Sequence, residues 1–141
     1  MCEARLRKRQ QSAVLPVHGS GQSLRVVLVT SRETKRWVVP KGWVEAGEPP
    51  HAGAAREAFE EAGLEGEVEV EPLGTYAYPK RLPGGESAAT EVVVFRFRVS
   101  RMLQDWPERA QRTRRLFKPE AAAAVVAEPG LAALLRNLRD R

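Results

Sequence analysis

Three glutamates in one short stretch, Glu57, Glu60 and Glu61, are spaced to do chemistry together. They sit within residues 42–64, GWVEAGEPPHAGAAREAFEEAGL. Positions i, i+3 and i+4 share one face of an α-helix, a turn apart. Carboxylates that close repel, and a cation among them relieves the repulsion. Hard divalent ions such as Mg²⁺ or Mn²⁺ take oxygen ligands of this kind. An isolated acidic cluster usually reads as a solvated helix face, so the surrounding elements decide its meaning.

Those elements are well marked. Pro49 and Pro50 suit a first helical turn, where proline has no N–H to lose. Gly63 suits the residue after the helix, because it can turn left-handed and stop it. Ala54, Ala55, Ala58 and Ala62 form a small apolar stripe that lets the helix lie close to a sheet. Gly42 and Gly47 bracket the loop before it. The unit reads as strand, glycine-containing loop, acidic helix.

The spacing is also specific as a whole. Gly42, five residues, Glu48, seven residues, Arg56-Glu57, an apolar residue, one residue, Glu60-Glu61, one residue, Gly63 and an apolar residue form a complete Nudix box. The chain therefore resembles a Nudix hydrolase. Ala58 is smaller than the aliphatic residue usual at its place. TSRETKRWVVPKGWVEAGE and DWPERAQRTRRLFKPEAAAAVV are similar to diphosphoinositol polyphosphate phosphohydrolases and their bacterial relatives. Lys41-Gly42-Trp43 departs from the glycine run of the animal enzymes.

The resemblance implies an α+β fold, an α/β/α sandwich with a mixed sheet between helices. It implies hydrolysis of a diphosphate linkage, with Mg²⁺ or Mn²⁺ held by Glu57, Glu61 and the Lys41 backbone carbonyl. Glu60 is implied as a further ligand or as the base that activates water, the role favoured for it here. Arg56 belongs with this catalytic set, although its implied part, like that of Glu48, is to brace loop against helix. Gly42 and Gly63 support the motif. Glu108, in a loop that could reach the site, is a candidate further carboxylate.

Charge supports an anionic substrate. The net charge is +5, yet residues 42–71 hold nine acidic residues and one basic, leaving +13 elsewhere. Arg9, Ser31, Lys41, Lys80, Arg81, Arg112 and Arg114 are the candidates for phosphate recognition. The expected substrate is a small, highly anionic polyphosphate: a diphosphoinositol polyphosphate or a dinucleoside polyphosphate. The alternatives are an ADP-ribose or nucleotide-sugar pyrophosphatase, and a non-catalytic nucleotide- or nucleic-acid-binding module. Nucleic-acid binding rests on charge alone, since the sequence lacks zinc-finger spacing, an RNP-like strand and a helix-turn-helix.

The 141 residues read as one domain, with residues 1–10 a flexible basic arm. A single cysteine, Cys2, rules out an internal disulfide and suggests a reducing compartment. No apolar run approaches the roughly 20 residues of a membrane helix. The expected location is the cytoplasm; the oligomeric state stays open. Strands are expected at residues 12–17, 24–30, 36–39, 65–78 and 90–99, and helices after Lys118 and Pro129. Pro16 points to an edge or bulge, Arg96 and Arg98 to an exposed sheet face, and residues 79–89 and 102–115 to loops.

Overall fold

β-Branched residues build the centre of the molecule, for which a computed structural model describes residues 10–138. The strands are β1 (Gln10–His18), β2 (Arg25–Thr30), β3 (Trp37–Val38), β4 (Lys41–Trp43), β5 (Leu64–Arg81), β6 (Ser87–Met102) and β7 (Arg114–Phe117). The helices are α1 (Pro50–Ala62), α2 (Pro119–Val125) and α3 (Pro129–Arg136). The sheet runs β3-β2-β1-β6-β5, with β4 beside β1 and β7 beside β2. β1 and β6 are parallel and the other pairs antiparallel, so the sheet is mixed.

Period-two alternation divides the core between the two faces. Leu15, Leu28, Val92 and Val94 pack against Ala122 of α2 and against Leu131 and Leu135 of α3. Val14, Val27, Phe95 and Phe97 pack against Ala54, Ala58 and Ala62 of α1. The α/β/α sandwich implied by the resemblance is the observed fold. A buried leucine contributes about 1.5–3 kcal/mol, a single methyl only about 0.8. The alanine stripe of α1 thus gives close approach more than cohesion, and the ends of α1 must also be fixed.

Several expectations change. β1 is a central strand, and Pro16 lies between the residues paired with β4 (Gln11 to Ala13) and those paired with β2 (from Val17). Its missing N–H falls where the neighbour changes. Arg96 is buried, with Glu69 at 3.8 Å, because helices cover both faces of the sheet; Arg98 is exposed. Residues 79–89 are mostly strand, so Lys80 and Arg81 end β5 instead of standing in a loop. Part of the expected basic loop is β7, paired with β2 from Arg114 to Phe117. The expected arm lies outside the described residues, except that Gln10 opens β1. Among the described residues no helix is long and apolar enough to cross a membrane.

Candidate active site

α1 begins at Pro50 and stops at Gly63, whose φ of 63° is the left-handed conformation that glycine adopts without strain. A Cβ on Gly63 would also lie 2.7 Å from the Trp106 ring. The last turn of a helix leaves carbonyls without partners. Here the segment from Leu103 to Arg114 supplies them. Glu108 N–H donates to Glu60 O at 3.1 Å, and Leu103 N–H to Gly63 O at 2.9 Å. The Trp106 indole N–H donates to Glu61 O at 3.0 Å, and Arg114 to Ala62 O at 2.9 Å. One segment thereby fixes the turn that carries the glutamates.

The three carboxylates do not share one environment. At 100° per residue, Glu60 and Glu61 diverge around the helix axis. Glu61 is buried against the sheet and Glu57 lies one turn earlier on the same line, with side chains 10% and 16% exposed. Glu60 turns outward, 40% exposed, and meets Arg56 at 3.4 Å.

Glu57 and Glu61 are neighbouring carboxyls, each perturbing the other. Burial pushes the Glu61 carboxyl up to about 8, and the nearby Glu57 pushes it in the same direction. Burial also raises Glu57. Two partners hold the Glu61 carboxyl: the Lys41 backbone N–H at 3.3 Å and Arg112 at 3.6 Å. Gly42 faces the pair, and a Cβ there would sit 2.5 Å from Glu57 Oε2. Only a bare backbone leaves Glu57 its place.

Arg56 gathers the acidic loop. It reaches Glu48 at 2.9 Å, Glu57 at 3.2 Å, Glu60 at 3.4 Å and Glu45 at 3.8 Å. Its fork meets both oxygens of Glu48, and this bond lowers the Glu48 carboxyl below its usual range. Glu48 in turn would meet a Cβ on Gly53 at 2.8 Å, so a helical glycine admits it.

A cavity of about 390 Å³ opens above the pair. It is lined by Ser31, Lys41, Gly42, Glu57, Glu61, Lys80, Glu108 and Arg112 among the sequence candidates. Glu60, Arg81 and Arg114 are not among its lining residues. Strand alternation sends Arg81 away from Lys80, and Arg114 instead stacks on Trp106, 4.2 Å from the ring centroid. Arg9 lies outside the described residues. Ser31 lines the wall, but its hydroxyl pairs with Thr34 at 2.6 Å and accepts the Arg36 N–H at 3.0 Å. Arg112 is nearly buried, donating to Glu108 at 2.8 Å and to Thr30 O at 3.1 Å.

Three contributors were not singled out from sequence. Trp106 is the cap of α1; its signal was its place in the DWPERAQRTRRLFKPEAAAAVV run that carries the resemblance, which gave it no role. Gln11 accepts from the Tyr78 hydroxyl at 2.7 Å on the cavity wall, and nothing local marks it. Arg32 lines the mouth, one charge among many in its turn.

The donor set has the character a hard divalent cation requires: oxygen ligands, like-charge crowding and partial desolvation. Among the described residues no group of three His, Cys, Asp or Glu is arranged to hold a metal ion. Glu57 and Glu61 converge as a pair, and Glu108 acts on Glu57 through space as a third like charge.

Comparison with known proteins bears on the family and the fold. Residues 8–138 match the model of the NUDIX domain. Nudix hydrolase 12, mitochondrial, of Arabidopsis thaliana is 36% identical over 95 residues, 65% of this chain and 47% of that protein. Diphosphoinositol polyphosphate phosphohydrolase 2 of Rattus norvegicus is 36% identical over 110 residues, 76% of this chain and 57% of that protein. The chain spans about half the length of these curated relatives. Among solved structures, a C. elegans Ap4A hydrolase binary complex superposes with a TM-score of 0.68 at 19% identity, covering 90% of this chain and 92% of that one. The E. coli dihydroneopterin triphosphate pyrophosphohydrolase also gives 0.68, at 17% identity, covering 94% and 95%. These two likenesses concern the fold.

Proposed function

From the premise that this chain belongs to the Nudix family, we propose that it is a metal-dependent pyrophosphohydrolase acting on a highly anionic polyphosphate, either a diphosphoinositol polyphosphate or a dinucleoside polyphosphate. The observation that carries this reading is the Glu57–Glu61 pair, buried together beneath a cavity that lysine and arginine also line. Such a pair is costly without a cation and well suited to one.

Glu57 and Glu61 would hold Mg²⁺ or Mn²⁺, with the Lys41 carbonyl implied by resemblance. Bound there, the ion would neutralise phosphate charge and ready water for attack. The protein's own groups do the rest. Arg56 holds Glu57 and Arg112 holds Glu61. Lys41, Lys80 and Arg32 present positive charge to the phosphates. Glu108, held by Arg112 and lining the cavity, would accept the proton of the attacking water. Glu60, tied to Arg56 outside the lining, is better placed as a brace than as that base. The water oxygen bonds to phosphorus, and the bridging oxygen leaves with its electron pair.

The test is product release from a panel: an inositol pyrophosphate, diadenosine penta- and hexaphosphate, ADP-ribose and nucleoside triphosphates. Cleavage with Mg²⁺ or Mn²⁺, absent with chelator and stronger on the inositol pyrophosphate or the diadenosine polyphosphates than on ADP-ribose and the nucleoside triphosphates, is the expected result. Preference for ADP-ribose would overturn the substrate reading, and no cleavage of any member would overturn the enzyme.

A further inference from the structure

We propose that Trp43 and Lys80, flanked by Lys41 and Tyr78, form a subsite for the nucleobase and adjoining phosphate of a nucleoside polyphosphate. The inference rests on the reading above and narrows it, selecting the substrate that carries a base over the fully phosphorylated ring.

Alternation creates the subsite. On β4, Gly42 faces Glu57, so Lys41 and Trp43 project together to the opposite side. On β5, Tyr78 and Lys80 likewise share a side. The two pairs interlock across the strands between them. Lys41 Nζ lies 5.6 Å from the Tyr78 ring centroid, and Lys80 Nζ 5.8 Å from that of Trp43. Each ammonium thus meets an aromatic ring from the other strand, within cation–π range.

The two halves differ in what they offer a ligand. Tyr78 is anchored through its hydroxyl to Gln11 and is only partly exposed. Trp43 is 40% exposed, and of the exposed large hydrophobic residues described, it alone lines the cavity. An indole beside an ammonium suits a flat, electron-rich ring that carries phosphate. Stacking supplies the base contact, and lysine the charge.

The charge of the cavity favours the same class. Against Arg32, Lys41, Lys80 and Arg112 stand an equal number of lining glutamates, and Arg112 is already engaged by Glu108 and Thr30. Three cations and a divalent ion match a short phosphate chain. A ring phosphorylated at every position would place further phosphates where, among the described residues, no further lining cation meets them.

The test is calorimetric binding, with Mg²⁺ present, of two probes that are not cleaved: α,β-methylene-ADP and methylenediphosphonate. Both carry a diphosphonate group, and one lacks the nucleoside. Trp43→Ala is expected to weaken the first by about 10-fold or more and to leave the second within twofold. Trp43→Phe, which keeps a ring, is expected to restore most of the loss. Equal weakening of both probes, or no change in either, overturns the subsite. Turnover is read separately. Diadenosine polyphosphate cleavage with binding indifferent to the base overturns the subsite alone. Base-selective binding without turnover of any polyphosphate supports the subsite and overturns the hydrolase.

Discussion

Replacing Glu61 by glutamine separates the cost of this site from its use. The Glu61 carboxyl is pushed from its ordinary 4.5 up to about 8, first by burial. A carboxyl raised by folding destabilises the fold once it must ionise. The penalty is absent below 4.5, grows through the interval and is complete above about 8. At about 1.4 kcal/mol per pH unit, the full interval is worth on the order of 5 kcal/mol without metal. Glutamine is neutral throughout. Its amide oxygen can accept the Lys41 N–H, and its NH₂ can donate to Glu57, with almost no change in volume. In chelator at pH 8.5 the Glu61→Gln protein is therefore expected to melt higher than the wild type, by roughly 10–20 °C. The two converge as pH falls toward 5. Mg²⁺ should raise the wild-type Tm by mass action and leave the variant unmoved. Circular dichroism melts at four pH values, with and without Mg²⁺, read all of this. A variant less stable than the wild type at pH 8.5 in chelator would refute the reasoning.

Three further substitutions probe the supports. Gly42→Ala puts a methyl 2.5 Å from Glu57 Oε2; it should cost about 1–3 kcal/mol in denaturant melts and weaken Mn²⁺ binding. Arg56→Lys keeps the charge but loses the fork that spans Glu48; metal affinity or turnover should fall about 10- to 100-fold, with the circular dichroism spectrum unchanged. Trp106→Phe removes the indole N–H from the Glu61 carbonyl; leaving that acceptor without its donor should cost about 1–3 kcal/mol and speed amide hydrogen exchange in the last turn of α1.

The acidic helix was legible because its marks are local: prolines at one end, Gly63 at the other, alanines between. The spacing of the box fixed it further, and the fold followed by resemblance. The division of labour among the glutamates was less visible. Three residues a turn apart look equivalent until a sheet covers one side of the helix and leaves Glu60 on the other. Long-range partners were hidden for a similar reason. Arg114 reads as one more cation in a basic run, yet it caps α1 from a segment fifty residues later and stacks on Trp106. β7 was missed because Arg114 and Arg115 obscure a strand whose apolar residues are only Leu116 and Phe117. Arg96 was misplaced because alternation shows which residues share a face, not whether that face is covered.

The central claim is that Glu57 and Glu61 together hold the cation on which phosphoanhydride cleavage depends. Its most direct measurement is hydrolysis of diadenosine hexaphosphate by the wild type and by the double variant Glu57→Gln/Glu61→Gln, titrated with Mg²⁺. The account predicts turnover that rises with Mg²⁺ and vanishes with chelator in the wild type, and a folded but inactive double variant at every concentration. Turnover that survives chelator, or that persists in the double variant, would contradict it.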